Sequence, residues 1–95
     1  MDMKLLAVFD EIYKTRSVSR AGENLELPQA SVSLALGRLR RQFNDPLFVR
    51  TSGGMVPTPH AATLVQPLQQ ALDLLRSATR QQVIFDPARS SRTFR

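Results

Sequence analysis

The stretch SVSRAGENLELPQASVSLALGRLRRQF, residues 17–43, decides the fold of this chain. It carries two apolar stripes with the three- and four-residue spacing of amphipathic helices. Between them, the proline at position 28 disfavours α geometry in the residue before it and ends the first helix. Ser17 stands just before the first stripe, where its side-chain oxygen can accept a backbone N–H as an N-cap. We therefore predict two helices joined by a tight turn. The stripes consist of Val18, Ala21 and Leu25, and of Val32, Ala35, Leu36, Leu39 and Phe43.

The opposite face of the second helix has the composition of a helix that enters the major groove of DNA. Its first turns carry small and polar side chains such as Gln29 and Ser33, and its last turns carry Arg38, Arg40 and Arg41. Small side chains let the backbone approach DNA, an amide such as Gln29 can pair with N6 and N7 of adenine, and arginines reach phosphates. A polar helix face by itself is more often a surface in contact with solvent. The short helix before the tight turn, the turn itself and the basic last turns of the helix that follows together favour DNA binding.

A small β-hairpin is predicted over residues 48–57. Two short extended segments flank the turn sequence Ser52-Gly53-Gly54. A winged helix–turn–helix carries its wing at this place, where Arg50, Thr51 and Ser52 could contact phosphates or the adjacent minor groove. An ordinary solvent-exposed hairpin is the alternative, and the hairpin alone does not decide between the two.

Two further helices flank these elements. An apolar face over residues 3–16 predicts a first helix that supports the helix–turn–helix. Thr58 as N-cap and Pro59 at the first helical position predict the start of a long helix over residues 59–83. Pro67 lies inside this helix and predicts a kink near residues 63–67.

The long helix carries a heptad seam of apolar residues spaced by four and three positions. So small a chain has little room to bury so long a helix, and we expect a second copy of the chain to cover the seam. The alternative is that the helix packs back on its own domain. We call this set the dimerisation seam, and it consists of Leu64, Leu68, Ala71, Leu72, Leu75 and Ala78.

The composition narrows the classes of function. The formal net charge is +5, from 13 Lys and Arg against 8 Asp and Glu, and the excess is spread along the chain without a polybasic tail. Binding to an anion must therefore come from folded geometry. The chain has no cysteine and only one histidine, His60, which argues against a metal site, a catalytic triad and an enzyme. No apolar run approaches the length of a membrane span, which argues against a membrane function. The absence of cysteine fits a cytoplasmic protein, and we expect neither a cofactor nor a metal.

Several motifs resemble the N-terminal DNA-binding region of LysR-type transcriptional regulators. They are SVSRA at residues 17–21, QASVS at 29–33, and DPLFVRT at 45–51 followed by PTP at 57–59. The phrase RLRRQFNDPLFVRTSGGMVPTPHA is most similar to the branch that contains nodulation-gene and aromatic-degradation regulators. The resemblance covers essentially the whole chain, and the combination of motifs is specific.

The resemblance implies a mainly α fold. Residues 1–58 are expected to form a winged helix–turn–helix of three helices and a small β-hairpin wing, and residues 59–83 a linker helix through which two chains form a homodimer. Residues 84–95 are expected to be an interdomain linker and the start of a truncated effector-binding domain. The implied partner is double-stranded DNA with an interrupted palindromic operator, and full-length members often form tetramers. A small-molecule inducer is expected only for the full-length protein, so this chain would bind DNA without sensing an inducer.

The resemblance also assigns site residues. Its base-reading positions match the start of the second helix of the helix–turn–helix, where the helical face supports Gln29 and Ser33 independently. The expected base-reading set is Gln29, Ala30, Ser33 and Leu34. The resemblance matches five residues to phosphate-contacting positions: Ser17, Ser19, Arg20, Arg50 and Thr51. Arg38, Arg41 and Ser52 are added to this expected DNA-backbone set because of their places on the helix face and the hairpin.

Four positions depart from the family pattern. Pro28 replaces the usual serine or threonine, so the side-chain N-cap is absent there. Ala30 stands where proline or serine is common. Leu34 replaces a polar or basic residue and could contact a thymine methyl group. Gly22 replaces the common alanine, and a glycine within a helix is expected to weaken it by up to ~1 kcal/mol.

Two other classes of function compete with DNA regulation. A helical interaction module would use the dimerisation seam without touching DNA, but it leaves the Gln29 and Ser33 face and the Arg50 hairpin unexplained. RNA binding would need aromatic platforms on which bases stack, whereas the chain has one tyrosine and no tryptophan. Substitution of Gln29 and Ser33 separates the first rival from DNA binding.

Overall fold

The computed structural model describes residues 2–85, with side chains through Thr79. The mainly α winged helix–turn–helix is confirmed, and part of the expected interdomain linker, residues 86–95, lies outside the described residues. In chain order the elements are α1 (Met3–Thr15), α2 (Val18–Leu25), α3 (Gln29–Phe43), β1 (Phe48–Thr51), β2 (Gly54–Pro57) and α4 (Pro59–Phe85).

Side-chain caps set the helix starts. Asp2 accepts a hydrogen bond from the Leu5 backbone N–H at 2.9 Å, and Ser17 Oγ accepts one from the Arg20 N–H at 3.1 Å. Thr58 Oγ1 does the same for α4, with the Ala61 N–H at 3.1 Å. Because Pro28 precedes α3, that helix begins without a side-chain cap. The predicted cap at Ser17 is thus confirmed, as is its absence at position 28.

Left-handed residues set the helix ends. Arg16, Glu26 and Asn44 follow α1, α2 and α3 with φ angles of 60°, 57° and 51°. A residue in this conformation turns its backbone N–H back to the last carbonyl groups of the helix and stops it. The first helix therefore ends at Thr15, one residue before the predicted end.

The core lies where α1, α2 and α3 meet the root of the wing. Phe9, Ile12, Val32 and Leu39 are fully buried, and so is Phe48 at the start of β1. The rings of Phe9 and Phe48 lie 5.3 Å apart, a distance at which tilted aromatic rings attract each other. The wing is therefore anchored in the core at its root.

The wing is the predicted antiparallel hairpin. Phe48 pairs with Pro57 and Thr51 with Gly54, which leaves a two-residue turn. The Met55 N–H donates to the Arg16 carbonyl at 2.9 Å and ties β2 to the end of α1. These contacts place the wing tip beside the helix–turn–helix.

Part of α4 packs back on its own domain. Leu64 and Leu68 contact the core, and Leu72 is only 1% exposed within the single chain. The buried Asp10 carboxylate accepts a hydrogen bond from Gln69 Nε2 at 2.9 Å and pairs with Lys14 Nζ at 3.0 Å. We predicted that a second copy of the chain covers all six residues of the dimerisation seam. For Leu72 this prediction is wrong, because its own chain already buries it.

The helix α4 continues through Pro67 to Phe85, two residues beyond the predicted end. The predicted kink near residues 63–67 stays a prediction. The remaining seam residues stay candidates for dimerisation.

Gly22 has a packing role that its low helix propensity does not suggest. A Cβ atom at this position would lie 2.9 Å from the carbonyl oxygen of Leu27 and 3.5 Å from a methyl group of Val32. The Leu27 N–H also donates to the Gly22 carbonyl at 2.8 Å. The close approach of the turn to α2 requires a residue without a side chain, so the interpretation of Gly22 as a simple weakening of α2 is incomplete.

Candidate nucleic-acid interface

The candidate interface is built on the exposed face of α3. Gln29, Ala30, Ser33 and Leu34 are all exposed, and Leu34 retains 71% of its accessible surface. The opposite face of α3 is buried in the core, because Val32, Ala35, Leu36 and Leu39 lie there. The sequence-predicted base-reading residues therefore share one accessible surface, with amide, methyl, hydroxyl and isobutyl groups available to a partner.

The start of α3 is held close to α2. The Ser31 and Val32 N–H groups donate to the Pro28 carbonyl at 2.9 and 3.2 Å, which closes the first turn of the helix. The Ser19 hydroxyl donates to Gln29 Oε1 at 3.1 Å. The sequence placed these two residues in different roles, and the structure joins them.

Exposed basic groups border this face. Arg20 lies on α2, Arg38 and Arg41 on the second half of α3, and Arg50 on β1, and all four are exposed. Ser17 Oγ accepts the α2 cap bond, which leaves its hydroxyl proton as a possible donor to an anion. The cationic groups therefore lie on three of the elements around the α3 face.

Arg40 has a different function from its neighbours. Its Nε donates to the Pro46 carbonyl at 2.8 Å, and a terminal guanidinium nitrogen donates to the Phe48 carbonyl at 2.9 Å. The sequence grouped Arg40 with the arginines that reach phosphates. Its guanidinium instead joins the end of α3 to the root of the wing, and no local sequence signal marks that contact.

The wing tip presents Arg50, Thr51 and Ser52, all exposed. The Thr51 hydroxyl donates to the Gly54 carbonyl at 2.8 Å and accepts from the Gly53 N–H at 3.2 Å. Its single proton is therefore used inside the turn, so Thr51 shapes the tip, while Arg50 and Ser52 are better placed to contact an anion.

Asp45 connects the end of α3, the wing and the start of α4. Its carboxylate accepts hydrogen bonds from Thr58 Oγ1 at 2.7 Å and from the Leu47 N–H at 2.9 Å, and lies 3.8 Å from His60 Nδ1. The hydrogen bond from Thr58, then that from Leu47, holds the pKa of Asp45 below its usual value.

Asp45 also stabilises an unusual backbone. Leu47 is fully buried with φ of 64°, a left-handed conformation that is costly for a side chain of this size. The Leu47 carbonyl accepts from the Thr58 N–H at 2.9 Å, so both backbone polar groups of Leu47 are bonded to this junction. In the sequence, Asp45 stood out only as the first residue of the DPLFVRT motif.

Within residues 2–85, no helix is both long and apolar enough to cross a membrane. Over the same part of the chain, no three histidine, cysteine, aspartate or glutamate side chains come together in a way that could hold a metal ion.

Comparison with known proteins agrees with this geometry. Residues 3–62 match the model of the family described as bacterial regulatory helix-turn-helix protein, lysR family. The chain is 50% identical over 94 residues to the HTH-type transcriptional activator NahR of Pseudomonas putida, an alignment that covers 99% of this chain and 31% of NahR. It is 37% identical over 95 residues to nodulation protein D 1 of Bradyrhizobium sp. (strain NC92), covering 100% of this chain and 30% of that protein. The chain thus spans less than a third of the length of either relative.

A solved structure shows the same fold. The chain superposes on the BenM_DBD/benA site 1 DNA complex with a TM-score of 0.77 at 20% identity, covering 86% of this chain and 95% of that one. At this identity the likeness concerns the fold alone, and it confirms the arrangement of helices and wing.

Proposed function

The chain belongs to the LysR family of bacterial regulatory helix-turn-helix proteins, and from this premise we propose that it binds double-stranded DNA sequence-specifically as a homodimer. The observation that carries the proposal is the exposed face of α3, where Gln29, Ala30, Ser33 and Leu34 lie opposite a fully apolar face. The chain shares its fold with a protein that was solved as a DNA complex, so the fold is compatible with this function. In this proposal α3 enters the major groove and these four side chains contact base edges.

Residues around α3 contact the DNA backbone and set its register. Ser17 and Arg20 lie at the start of α2, Arg38 and Arg41 at the end of α3, and Arg50 and Ser52 at the wing tip. Each neutralised phosphate releases counterions, so affinity falls with salt at a log–log slope of roughly −0.9 per contact. These contacts raise affinity for all sequences alike, whereas base contacts carry the specificity.

The exposed side of α4 joins two copies. Leu74 and Leu75 keep 71% and 40% of their accessible surface, and Ala78 is exposed next to them. Leu74 was not among the predicted seam residues, because the heptad spacing placed it outside the stripe. A homodimer of this kind places two copies of α3 on two half-sites of an interrupted palindrome. Longer chains of the family would add inducer sensing and tetramer formation, and the DNA partner implies a cytoplasmic location.

Fluorescence anisotropy tests the proposal. A duplex selected from a random library is compared with a scrambled duplex over a series of salt concentrations. We expect tight binding to the selected duplex, with weaker and more salt-sensitive binding to the scrambled one. Gln29→Ala is expected to weaken selected binding by about 1–3 kcal/mol and to relax one base position, while Arg50→Ala weakens both duplexes equally.

Equal, weak binding to both duplexes by the unchanged protein would contradict the proposal. A helical interaction module without a DNA function would then be the better interpretation, since such a module is indifferent to Gln29→Ala. If Gln29→Ala weakened both duplexes equally, DNA binding would remain but the base-reading role of Gln29 would be wrong.

A further inference from the structure

The wing is bonded to the helices on both of its edges. The Met55 N–H on β2 donates to the Arg16 carbonyl at 2.9 Å, and the Phe48 carbonyl on β1 accepts from an Arg40 guanidinium nitrogen at 2.9 Å. The contact on β2 joins two backbone groups, whereas the contact on β1 depends on one side chain of α3. A two-stranded hairpin is only marginally stable by itself, so its direction depends on the groups that hold its edges.

Arg40 spans the point at which the chain turns from α3 into the wing. Its Nε donates to the Pro46 carbonyl at 2.8 Å, and a terminal nitrogen donates to the Phe48 carbonyl. These two carbonyls stand on either side of Leu47, the left-handed residue with φ of 64°. A guanidinium only donates and a carbonyl oxygen only accepts, so neither bond can reverse its direction. The planar guanidinium therefore holds the backbone before and after Leu47 in one relative orientation.

That orientation decides where the exposed part of β1 lies. Phe48 is buried, and the three residues that follow it in β1 are exposed. Beyond Phe48 the strand leaves the core, so the angle at which it leaves determines its further course. Arg50 lies two residues on, roughly 7 Å along the strand. We propose that Arg40 is a positioning residue for DNA binding, which holds β1 against the end of α3 and so sets the place of Arg50 relative to the base-reading face.

This inference rests on the proposed function, in which Arg50 contacts the DNA backbone. Two other roles for Arg40 make different predictions. Arg40 is exposed, and its guanidinium has five N–H groups of which the two bonds use two, so the remaining ones could contact a phosphate directly. Alternatively, the two bonds could stabilise the folded chain without any effect on DNA binding.

The test uses the whole 95-residue chain. Arg40→Met removes the charge and both bonds, and Arg40→Lys keeps the charge. Arg76→Met is the matched control for the loss of one positive charge, because Arg76 is an exposed arginine of α4 that lies beside Asp10 and Lys14. The remaining proteins are the unchanged chain, Arg50→Ala and the double variant of Arg40→Met with Arg50→Ala.

Two quantities are measured for each protein. Dissociation constants for the selected and the scrambled duplex are determined over a series of salt concentrations. In the free chain, ¹⁵N relaxation of the Val49, Arg50 and Thr51 amides reports motion of the wing on the picosecond-to-nanosecond timescale. The second measurement needs no DNA, so it tests the positioning of the wing separately from the proposed function.

We expect Arg40→Met to weaken binding to both duplexes by about three- to tenfold, the factor that roughly one hydrogen bond supplies. Arg40→Lys loses most of the same affinity, because an ammonium is a compact charge that cannot reproduce the planar two-point contact. Arg76→Met has a smaller effect, since salt screens an exposed charge that contacts no phosphate.

The double variant gives the decisive comparison. In the Arg50→Ala background, Arg40→Met has no further effect on affinity or on the salt slope, because the contact that Arg40 positions is already lost. In the free chain, both Arg40 variants make the β1 amides more mobile. Both variants are expected to fold, because Arg40 is exposed and the buried Phe48 is unchanged.

Three outcomes would overturn the inference. If Arg40→Lys kept the affinity, and Arg40→Met lowered the salt slope by roughly 0.9 more in the Arg50→Ala background, Arg40 would be a direct phosphate contact. Unchanged affinities in both Arg40 variants would leave the two bonds a role in stability alone. Unchanged relaxation of the β1 amides would show that Arg40 does not hold the wing. Equal, weak binding of both duplexes by the unchanged chain would instead contradict the proposed function, while relaxation would still decide whether Arg40 holds the wing.

Discussion

Helices α3 and α4 both bury one side against the same core, but their exposed sides differ in chemistry. The exposed side of α3 presents Gln29, Ser33 and arginines, whereas that of α4 presents Leu74 and Leu75. Covering apolar surface stabilises by about 25 cal/mol per Å², so the α4 side gains most from an apolar partner. The α3 side offers hydrogen-bond donors and acceptors, and gains most from a polar ligand. One core thus presents two surfaces for two kinds of partner.

The two sides of α4 itself give the sharpest test of this contrast. Leu72→Ala is expected to lower the free energy of unfolding by about 2–5 kcal/mol, because it leaves a cavity at a side chain that is 1% exposed. Leu75, with 40% of its surface exposed, is the matched control on the other side. Leu75→Ala is expected to change the unfolding of dilute protein little and to weaken self-association.

Urea denaturation at two protein concentrations and sedimentation equilibrium measure these two effects. Equal losses of unfolding free energy in Leu72→Ala and Leu75→Ala would mean that the two sides of α4 contribute alike to the stability of the single chain, which would contradict the contrast.

The polar contact between α1 and α4 tests how α4 is fixed to the domain. Gln69→Ala is expected to cost about 1.5–3 kcal/mol of unfolding free energy, because the buried Asp10 carboxylate loses a hydrogen bond. The neighbouring exposed residue serves as the control, since Gln70→Ala is expected to stay within about 0.5 kcal/mol. Chemical denaturation measures both. If Gln69→Ala and Gln70→Ala had the same free energy of unfolding, the Asp10–Gln69 hydrogen bond would contribute nothing to stability.

The two glycines of the helix–turn–helix are expected to respond oppositely to alanine. At Gly22 the overpacking penalty, about 1–3 kcal/mol, exceeds the helix-propensity gain of up to ~1, so Gly22→Ala should destabilise by roughly 1 kcal/mol. A Cβ atom at Gly37 would meet only an Arg41 guanidinium nitrogen at 3.8 Å. Gly37→Ala should therefore stabilise by about 0.5–1 kcal/mol.

The denaturation midpoints of Gly22→Ala and Gly37→Ala measure whether the two substitutions change stability in opposite directions. Stabilisation by Gly22→Ala would show that the α2–α3 junction does not need a close backbone approach.

The junction between α3 and α4 predicts the smallest effect, a dependence on pH. The folded-state pKa of Asp45 is lowered, so its contribution is present above the usual aspartate value of about 3.9 and is lost as pH falls through the folded-state value. We expect stability to decline in acid, and Asp45→Asn to reduce that decline relative to the exposed control Asp73→Asn. Thermal unfolding between neutral and acid pH measures the difference, and identical profiles for the two variants would contradict the role of Asp45.

Much of the fold follows from local sequence. The caps at Ser17 and Thr58 and the hairpin turn act within a few residues, and all three are found as predicted. Helix α2 ends earlier than its predicted stop at Pro28, because the left-handed Glu26 already terminates it. The α3 face was also predictable, because helical periodicity alone separates its apolar residues from its polar ones.

The sequence by itself therefore determined where the helices and the wing lie and which side of α3 faces outward. Only the tertiary structure decided that Leu72 packs on its own chain, that Arg40 and Asp45 hold the wing root, that Gly22 permits a close approach, and that Ser19 holds Gln29. Caps and periodicity depend on neighbours within one or two helical turns. These other contacts depend on the packing of whole elements, and the Asp10–Gln69 bond, for example, joins residues 59 positions apart.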